Sequence, residues 1–367
     1  MTSLPLGLPT GLDQRTGVPL SGYTTLRLGG PAARFVAAAS AEELVAAIRA
    51  VDAAGEALLV VGGGSNLVVG DLGFDGTAVR VEHRGSKIDT AEPGRVRLTV
   101  EAGEDWDTVV AGTVEAGLGG LECLSGIPGL VGATPVQNVG AYGVEVSQVL
   151  ESVDVFDRDA GDVRTLRVDE LGLDYRTSVL KGNDRVVVLR ARFVLTDDGQ
   201  SAPVRYTELA RALGVRQDQR VPVADAREAV LALRRGKGMV LDPTDHDTWS
   251  AGSFFTNPVI PAERVAAVLA TVSERVGPEV SVPCYPAGPN ASKLSAAWLI
   301  ERAGFTKGHP GPGARAALST KHTLALTNRG DATTADLLAL AAEVRTGVLT
   351  TFGIQLDAEP VLVNCTI

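Results

Sequence analysis

One stretch, residues 125–143, constrains this chain more than any other: Ser-Gly-Ile-Pro-Gly-Leu-Val-Gly-Ala-Thr-Pro-Val-Gln-Asn-Val-Gly-Ala-Tyr-Gly. Its five glycines and two prolines stand among apolar residues. Proline fixes φ and glycine reaches conformations that a Cβ forbids, so the segment is neither packed through side chains nor floppy. Such a segment suits the approach of bare backbone to a ligand. Two shorter runs share its character, Gly62-Gly63-Gly64-Ser65-Asn66 upstream and Ser250-Ala251-Gly252-Ser253-Phe254-Phe255 downstream. Together the three predict one large cofactor site.

With 367 residues the chain is long enough for two or three domains. A net charge of -10 argues against nucleic acid or an anionic membrane surface as partner, since both demand a basic face. No run approaches the roughly 20 apolar residues that span a bilayer. Residues 1–20 lack the basic stretch and apolar run of an export leader, so a cytoplasmic protein is expected. Nothing in the sequence calls for an obligate protein partner. Cys123, Cys284 and Cys365 are far apart and form no CxxC pair, which predicts neither a disulfide framework nor a metal site.

The pattern along the chain is α+β. Ser40 and Glu43 have capping-box spacing and open a helix that Gly55 closes, and residues 57–61 read as a short buried strand entering the first glycine run. A strand over 96–100, a helix over 104–116 and strands within 152–195 follow, the clearest alternation lying at 186–194. Beyond these, helices are predicted at 224–235, 261–276 (with Pro261 at its first position), 292–303 and 334–352, a strand at 322–327 and a final strand pair within 355–363.

Familiar nucleotide signatures are absent. Gly62-x-Gly64-x-x-Leu67 lacks the third glycine of a dinucleotide fingerprint, and neither a GxxxxGK[ST] phosphate loop nor a GxSxG elbow occurs. What survives is a nest of consecutive amides at 62–66, able to donate to a pyrophosphate.

Several motifs occur in a fixed order: Thr25-Leu26-Arg27-Leu28-Gly29-Gly30-Pro31, then residues 62–67, then 120–143, then Tyr175-Arg176-Thr177-Ser178. Ala251-Gly252-Ser253-Phe254-Phe255-x-Asn257-Pro258 and Phe352-Gly353-x-x-Leu356-x-x-Glu359 follow. In this order the chain closely resembles the UDP-N-acetylenolpyruvoylglucosamine reductases over about residues 20–363. The resemblance implies a two-part FAD-binding domain of the vanillyl-alcohol-oxidase type (1–80 and 81–235), a smaller α+β substrate-binding domain (236–350) and C-terminal strands (351–367) returning to the FAD domain. It also implies non-covalent FAD, NADPH as reductant and a UDP-sugar enol ether as substrate.

By position, the resemblance assigns Gly62, Gly63, Gly64, Ser65, Asn66, Leu67, Ser125, Gly126, Ile127, Gly129, Gly132, Gln137, Asn138, Gly140, Ala141 and Tyr142 to the cofactor. It assigns Tyr175, Tyr206, Lys237, Asn257 and Lys293 to the substrate, Tyr206 marking the subclass with a tyrosine loop. Hydride addition to an enolpyruvyl ether leaves charge on the carbon that bears the carboxylate, and this charge needs a cation and then a proton. Arg176 fits the first need, because a guanidinium is permanently charged and binds carboxylate bidentately. Ser253 is the proton donor by position, and Glu359, if buried and protonated, a hydrogen-bond donor to the developing charge. Position 256 is Thr where the family commonly has a basic residue. His83, His246, His309 and His322 match no catalytic position and are expected on the surface or in strands. Two other readings share the glycine loops: an oxidase of the same FAD superfamily acting on a small alcohol, and a flavin-binding protein without catalysis.

Overall fold

The computed structural model describes residues 12–288 and 290–367; residues 1–11, which begin the first expected subdomain, lie outside the described residues. By its internal contacts the chain divides into two units, and neither is contiguous. The first holds residues 12–18, Ala32–Gly64 and Phe74–Val240; the second holds Pro19–Pro31, Ser65–Gly73 and Leu241–Ile367. This differs from a division at residues 80, 235 and 350, because two short N-terminal segments and the C-terminal tail cluster with the second unit.

Two sheets build the first unit. In the four-stranded one the order is Asp13–Pro19, Pro31–Ala38, Phe74–Val81, Leu58–Val61, and the last three strands run parallel. Helix Ala41–Ala53 supplies the crossover that parallel strands require. Its N-terminus is capped as expected, the Ser40 hydroxyl accepting from the Glu43 amide at 3.1 Å. The other sheet is antiparallel and five-stranded, ordered Asp162–Arg167, Leu150–Asp157, Val186–Thr196, Arg95–Glu101, Ser86–Glu92. Its central strand alternates as the sequence predicts: Val187, Leu189, Ala191, Phe193 and Leu195 are buried, while Arg190 and Arg192 point the other way to carboxylates of Glu101 and Asp154. Helices Trp106–Glu115 and Val223–Gly236 also belong to this unit.

The second unit has a three-stranded antiparallel sheet, Val259–Pro261, Ala291–Leu294, Cys284–Pro286, and the antiparallel pair Ala316–Leu318 with Leu326–Asn328. The long helix Thr334–Phe352 matches its predicted bounds, capped by Thr333 and ended by Gly353 at φ 67. Asp71 accepts from the amides of Thr334 and Ala335 at 2.8 and 2.9 Å, which ties the 65–73 segment to this unit.

Five local expectations are corrected. The predicted helix 292–303 is half strand: residues 291–294 pair on both sides, and Ser295, accepting from the Trp298 amide, starts a shorter helix at Ala296–Arg302. Pro261 is the N-cap of helix Ala262–Val276 and not its first residue. The strand expected at 322–327 begins only at Leu326, because the Ser319 hydroxyl accepts from the amides of Lys321 and His322 and folds the segment into a turn. The expected C-terminal strand pair reduces to Val361–Val363, parallel to Leu67–Val69. His83 is not a surface residue: it is 3% exposed and its Nε2 lies 2.7 Å from the Leu189 carbonyl.

Candidate cofactor and catalytic site

Within the first unit the two glycine loops meet backbone to backbone. A Cβ on Gly63 would stand 2.5 Å from the Gly129 Cα and 3.0 Å from its carbonyl carbon, closer than any side chain tolerates. On Gly132 it would meet the Ala102 Cβ at 2.6 Å. Gly62 differs, since its nearest neighbour would be the Ala133 Cβ at 4.0 Å, so packing does not demand glycine there. A cradle of amides with one side free of Cβ atoms fits a pyrophosphate-bearing cofactor such as FAD. Ser65, Asn66 and Leu67 continue this run in the second unit, where the Asn66 carbonyl accepts from Val361 at 2.9 Å and Leu67 pairs with Val361.

Residues outside the glycine loops hold the second loop still, and the sequence reading did not find them. The Asp107 carboxylate accepts from the Gly126 amide at 2.6 Å and is gripped by Arg227 at 2.6 and 3.0 Å. Arg234 donates to the Gly126 carbonyl at 3.3 Å, and the Trp106 indole to the Leu124 carbonyl at 3.2 Å. The Gly129 carbonyl accepts from the Trp106 amide. Helix periodicity places such residues on a face, but no sequence pattern names a partner 19 or 108 positions away.

Burial pushes the Asp107 carboxyl up, but the Arg227 guanidinium and the Gly126 amide outweigh it and hold the group below its ordinary value. A depressed carboxylate stabilises the fold above its unfolded pKa, and the contribution is lost as pH falls through the folded one. Acidification below about pH 4 is therefore expected to release Gly126 and accelerate its amide hydrogen exchange. In Asp107→Asn that exchange should already be fast at neutral pH and show no such acid dependence.

Several residues assigned to the cofactor have side chains engaged within the protein. The Ser125 hydroxyl donates to the Glu122 carbonyl at 2.6 Å. Asn138, 1% exposed at φ 46, donates to Glu145 and to the Asp174 carbonyl and accepts from the Ser147 amide. Its side chain therefore fastens the loop to the Arg176 turn. Ile127, Gln137 and Ala141 are partly buried, Ile127 and Ala141 packing against the core of the first unit.

Arg176 occupies the tip of the turn formed by Asp174 and Thr177 at φ 54, a left-handed conformation that a side chain as large as arginine seldom adopts. Three cross-links fix that turn to the glycine loop. The Ser178 hydroxyl donates to the Val136 carbonyl at 2.6 Å, Asn138 reaches the Asp174 carbonyl at 3.2 Å, and Arg176 Nη2 donates to the Gly140 carbonyl at 2.8 Å. A Cβ on Gly140 would stand 2.8 Å from the Glu145 Cγ and 3.1 Å from Arg176 Nη1, so glycine leaves room for both side chains. The Tyr175 ring centre lies 5.4 Å from the Arg176 Cζ. Backbone strain concentrated at Asn138, Tyr142 and Arg176 marks this region as one whose geometry is imposed by its surroundings.

Tyr142, assigned to the cofactor, clusters with residues assigned to the substrate. Its ring packs edge-on to Tyr206 at 5.5 Å, and Lys237 Nζ stands 5.9 Å from its centre. Lys237 is also paired with Glu208 at 2.5 Å. Burial pushes the Tyr142 phenol up to about 12, so it remains a hydrogen-bond donor through the neutral range.

In the second unit, Ser253 follows Gly252 at φ 73 in a tight turn. After the turn, the Phe254 carbonyl accepts from the Glu359 amide at 2.9 Å, Phe255 bridges to Ala358, and Thr256 donates to the Asp357 carbonyl at 3.0 Å. This register sets Glu359 beside the Ser253 turn. Glu359 is partly buried, where a buried acid was expected. Asn257 uses its side-chain oxygen to accept from the Ala296 amide at 2.9 Å, and Lys293 sits on the central strand directly between Val259 and Tyr285. Among the described residues no group of His, Cys, Asp and Glu could hold a metal ion, and no helix is long and apolar enough to cross a membrane.

Comparison with known proteins agrees with this division. A profile of the FAD binding domain matches residues 32–167, and one of the UDP-N-acetylenolpyruvoylglucosamine reductase C-terminal domain matches residues 242–363. The chain is 67% identical over 359 residues to the UDP-N-acetylenolpyruvoylglucosamine reductase of Saccharopolyspora erythraea, covering 98% of each. It is 58% identical to that of Thermobifida fusca, covering 95% of this chain and 98% of the relative. The crystal structure of the Thermus caldophilus reductase superposes with a TM-score of 0.62 at 25% identity, covering 96% of this chain and 98% of that one. A FAD-binding domain joined to a smaller α+β domain, and this extent of identity, lead to one conclusion: the chain belongs to the UDP-N-acetylenolpyruvoylglucosamine reductases, FAD-dependent oxidoreductases of peptidoglycan synthesis.

Proposed function

We propose that this protein uses NADPH to reduce UDP-N-acetylenolpyruvoylglucosamine to UDP-N-acetylmuramate, in the cytoplasm, with Arg176, Ser253 and Glu359 carrying the chemistry. The observation that carries the assignment of roles is the register of the second unit, in which the Glu359 amide donates to the carbonyl of Phe254, the residue after Ser253. FAD, when bound, supplies the hydride for the terminal enol-ether carbon, having taken it from NADPH. Arg176 neutralises the substrate carboxylate into which the resulting charge spreads, held for that purpose by the Gly140 carbonyl. The Ser253 hydroxyl gives its proton to the carbon bearing the carboxylate and recovers one from water. Glu359, when protonated, donates a hydrogen bond to the charged carboxylate.

For the UDP moiety, Lys237 and Lys293 supply local positive charge that an acidic chain otherwise lacks, Asn257 a polar contact, and Tyr175 and Tyr206 cover for the ligand. NADPH and the UDP-sugar take turns in one pocket, consistent with the absence of a dinucleotide fingerprint that would mark a separate NADPH site. The purified protein is expected to be yellow, to bleach with NADPH without oxygen, and to regain its colour when the enolpyruvyl substrate is added. Recovery of colour with oxygen alone, and not with that substrate, would support an oxidase instead. Calorimetry should show each nucleotide displacing the other; a stable ternary complex would rule out the shared pocket.

A further inference from the structure

The Thr25-Leu26-Arg27-Leu28-Gly29-Gly30-Pro31 motif has no part in the chemistry above, yet it reaches the turn that carries Ser253. The Thr25 hydroxyl, on a residue only 7% exposed, donates to the Ser250 carbonyl at 2.7 Å across 225 positions of sequence. Ser250 opens the turn: its own hydroxyl accepts from the Gly252 amide at 3.2 Å, and Ser253 comes next. At the far end the turn is held by the Phe254 amide on the Leu324 carbonyl at 2.8 Å and by the Phe254 carbonyl on the Glu359 amide. Thr25 therefore fixes the near end of a short span whose far end is already fixed.

Thr25 can do this because its own segment is rigid. The Thr24 hydroxyl donates to the Leu28 carbonyl at 2.8 Å and accepts from the Leu28 amide at 3.2 Å. Asn328 donates to the Leu26 carbonyl at 3.0 Å, Gly30 donates to the Gly70 carbonyl at 3.0 Å, and Leu26 and Leu28 are buried in the core of the second unit. A proton donor gains from rigid aim, since misplacement by about 1 Å can cost two orders of magnitude in rate.

We propose that Thr25 is a positioning residue for Ser253, setting the aim of its hydroxyl through the Ser250 carbonyl. The inference rests on Ser253 being the proton donor, and the test separates the two. In Thr25→Val, bleaching by NADPH should keep its wild-type rate and the KM for the UDP-sugar should hold, while substrate-driven recolouring slows between about 10- and 100-fold. Thr25→Ser should restore it. The double variant Thr25→Val/Ser253→Ala should recolour no more slowly than Ser253→Ala alone, because a residue that acts through Ser253 has nothing left to aim. Amide hydrogen exchange at Gly252 and Ser253 should quicken in Thr25→Val and return in Thr25→Ser, a readout independent of turnover; Thr25→Ala replaces valine if valine prevents folding. Unchanged recolouring and exchange in Thr25→Val, or full additivity in the double variant, overturns the role of Thr25. Normal recolouring in Ser253→Ala overturns the role of the serine instead, and the exchange measurement then still decides whether Thr25 orders the turn.

Discussion

Ser253→Ala is expected to hold FAD and to bleach with NADPH at close to the wild-type rate, while recolouring by the enolpyruvyl substrate slows by about 10²–10⁴, the usual contribution of a positioned acid. The split follows from where the proton is used: delivery of hydride from NADPH needs no acid, whereas completing the substrate's reduction needs a proton on carbon. The substitution leaves the turn itself alone. Its fold depends on Gly252 at φ 73, on the Ser250 hydroxyl and on the backbone bonds of Phe254, none of which involves the Ser253 side chain. Stopped-flow absorbance under nitrogen separates the two half-reactions. Equal slowing of both would mean that Ser253 shapes the pocket and does not donate the proton.

The same local logic explains how much the sequence revealed. Elements defined by their own periodicity were legible: the capped helices Ala41–Ala53 and Thr334–Phe352, and the strand Val186–Thr196 with its alternating buried face. Residues 291–294 were not, since their apolar spacing suits a helix and only pairing with Val259–Pro261 and Cys284–Pro286 makes them a strand. At the site, composition exposed the glycine loops because close backbone approach leaves a mark on residue type. Asp107, Glu208 and Arg234 left no such mark, being ordinary charged residues on helices or beside them, whose partners are chosen by the tertiary fold. Asn138 stood out within the loop, but the three internal hydrogen bonds of its side chain did not, since no sequence pattern names Glu145, Asp174 or Ser147 as its partners.

Gly63→Ala should yield a colourless or flavin-depleted protein, and comparison with Gly62→Ala shows why. At position 63 the new methyl would lie 2.5 Å from the Gly129 Cα and 3.2 Å from the Leu130 amide nitrogen, all backbone, so no rotamer change relieves it. The opposing loop has little freedom to withdraw. Its Gly126 amide is bound to Asp107, its Gly129 carbonyl to the Trp106 amide and its Gly132 amide to the Ala102 carbonyl at 2.9 Å. The expected cost is that of overpacking, about 1–3 kcal/mol, with a lowered melting temperature. At position 62 the same methyl meets nothing closer than 4.0 Å, so melting of the apoprotein should be unchanged. Loss of flavin from Gly62→Ala at an unchanged apoprotein melting temperature would identify the missing Cβ as room kept for the cofactor; retention of flavin there would place the need for glycine in loop packing at Gly63 alone. Measuring bound flavin per chain beside the melting temperature of each stripped variant separates a cradle shaped for its ligand from one shaped by its neighbours.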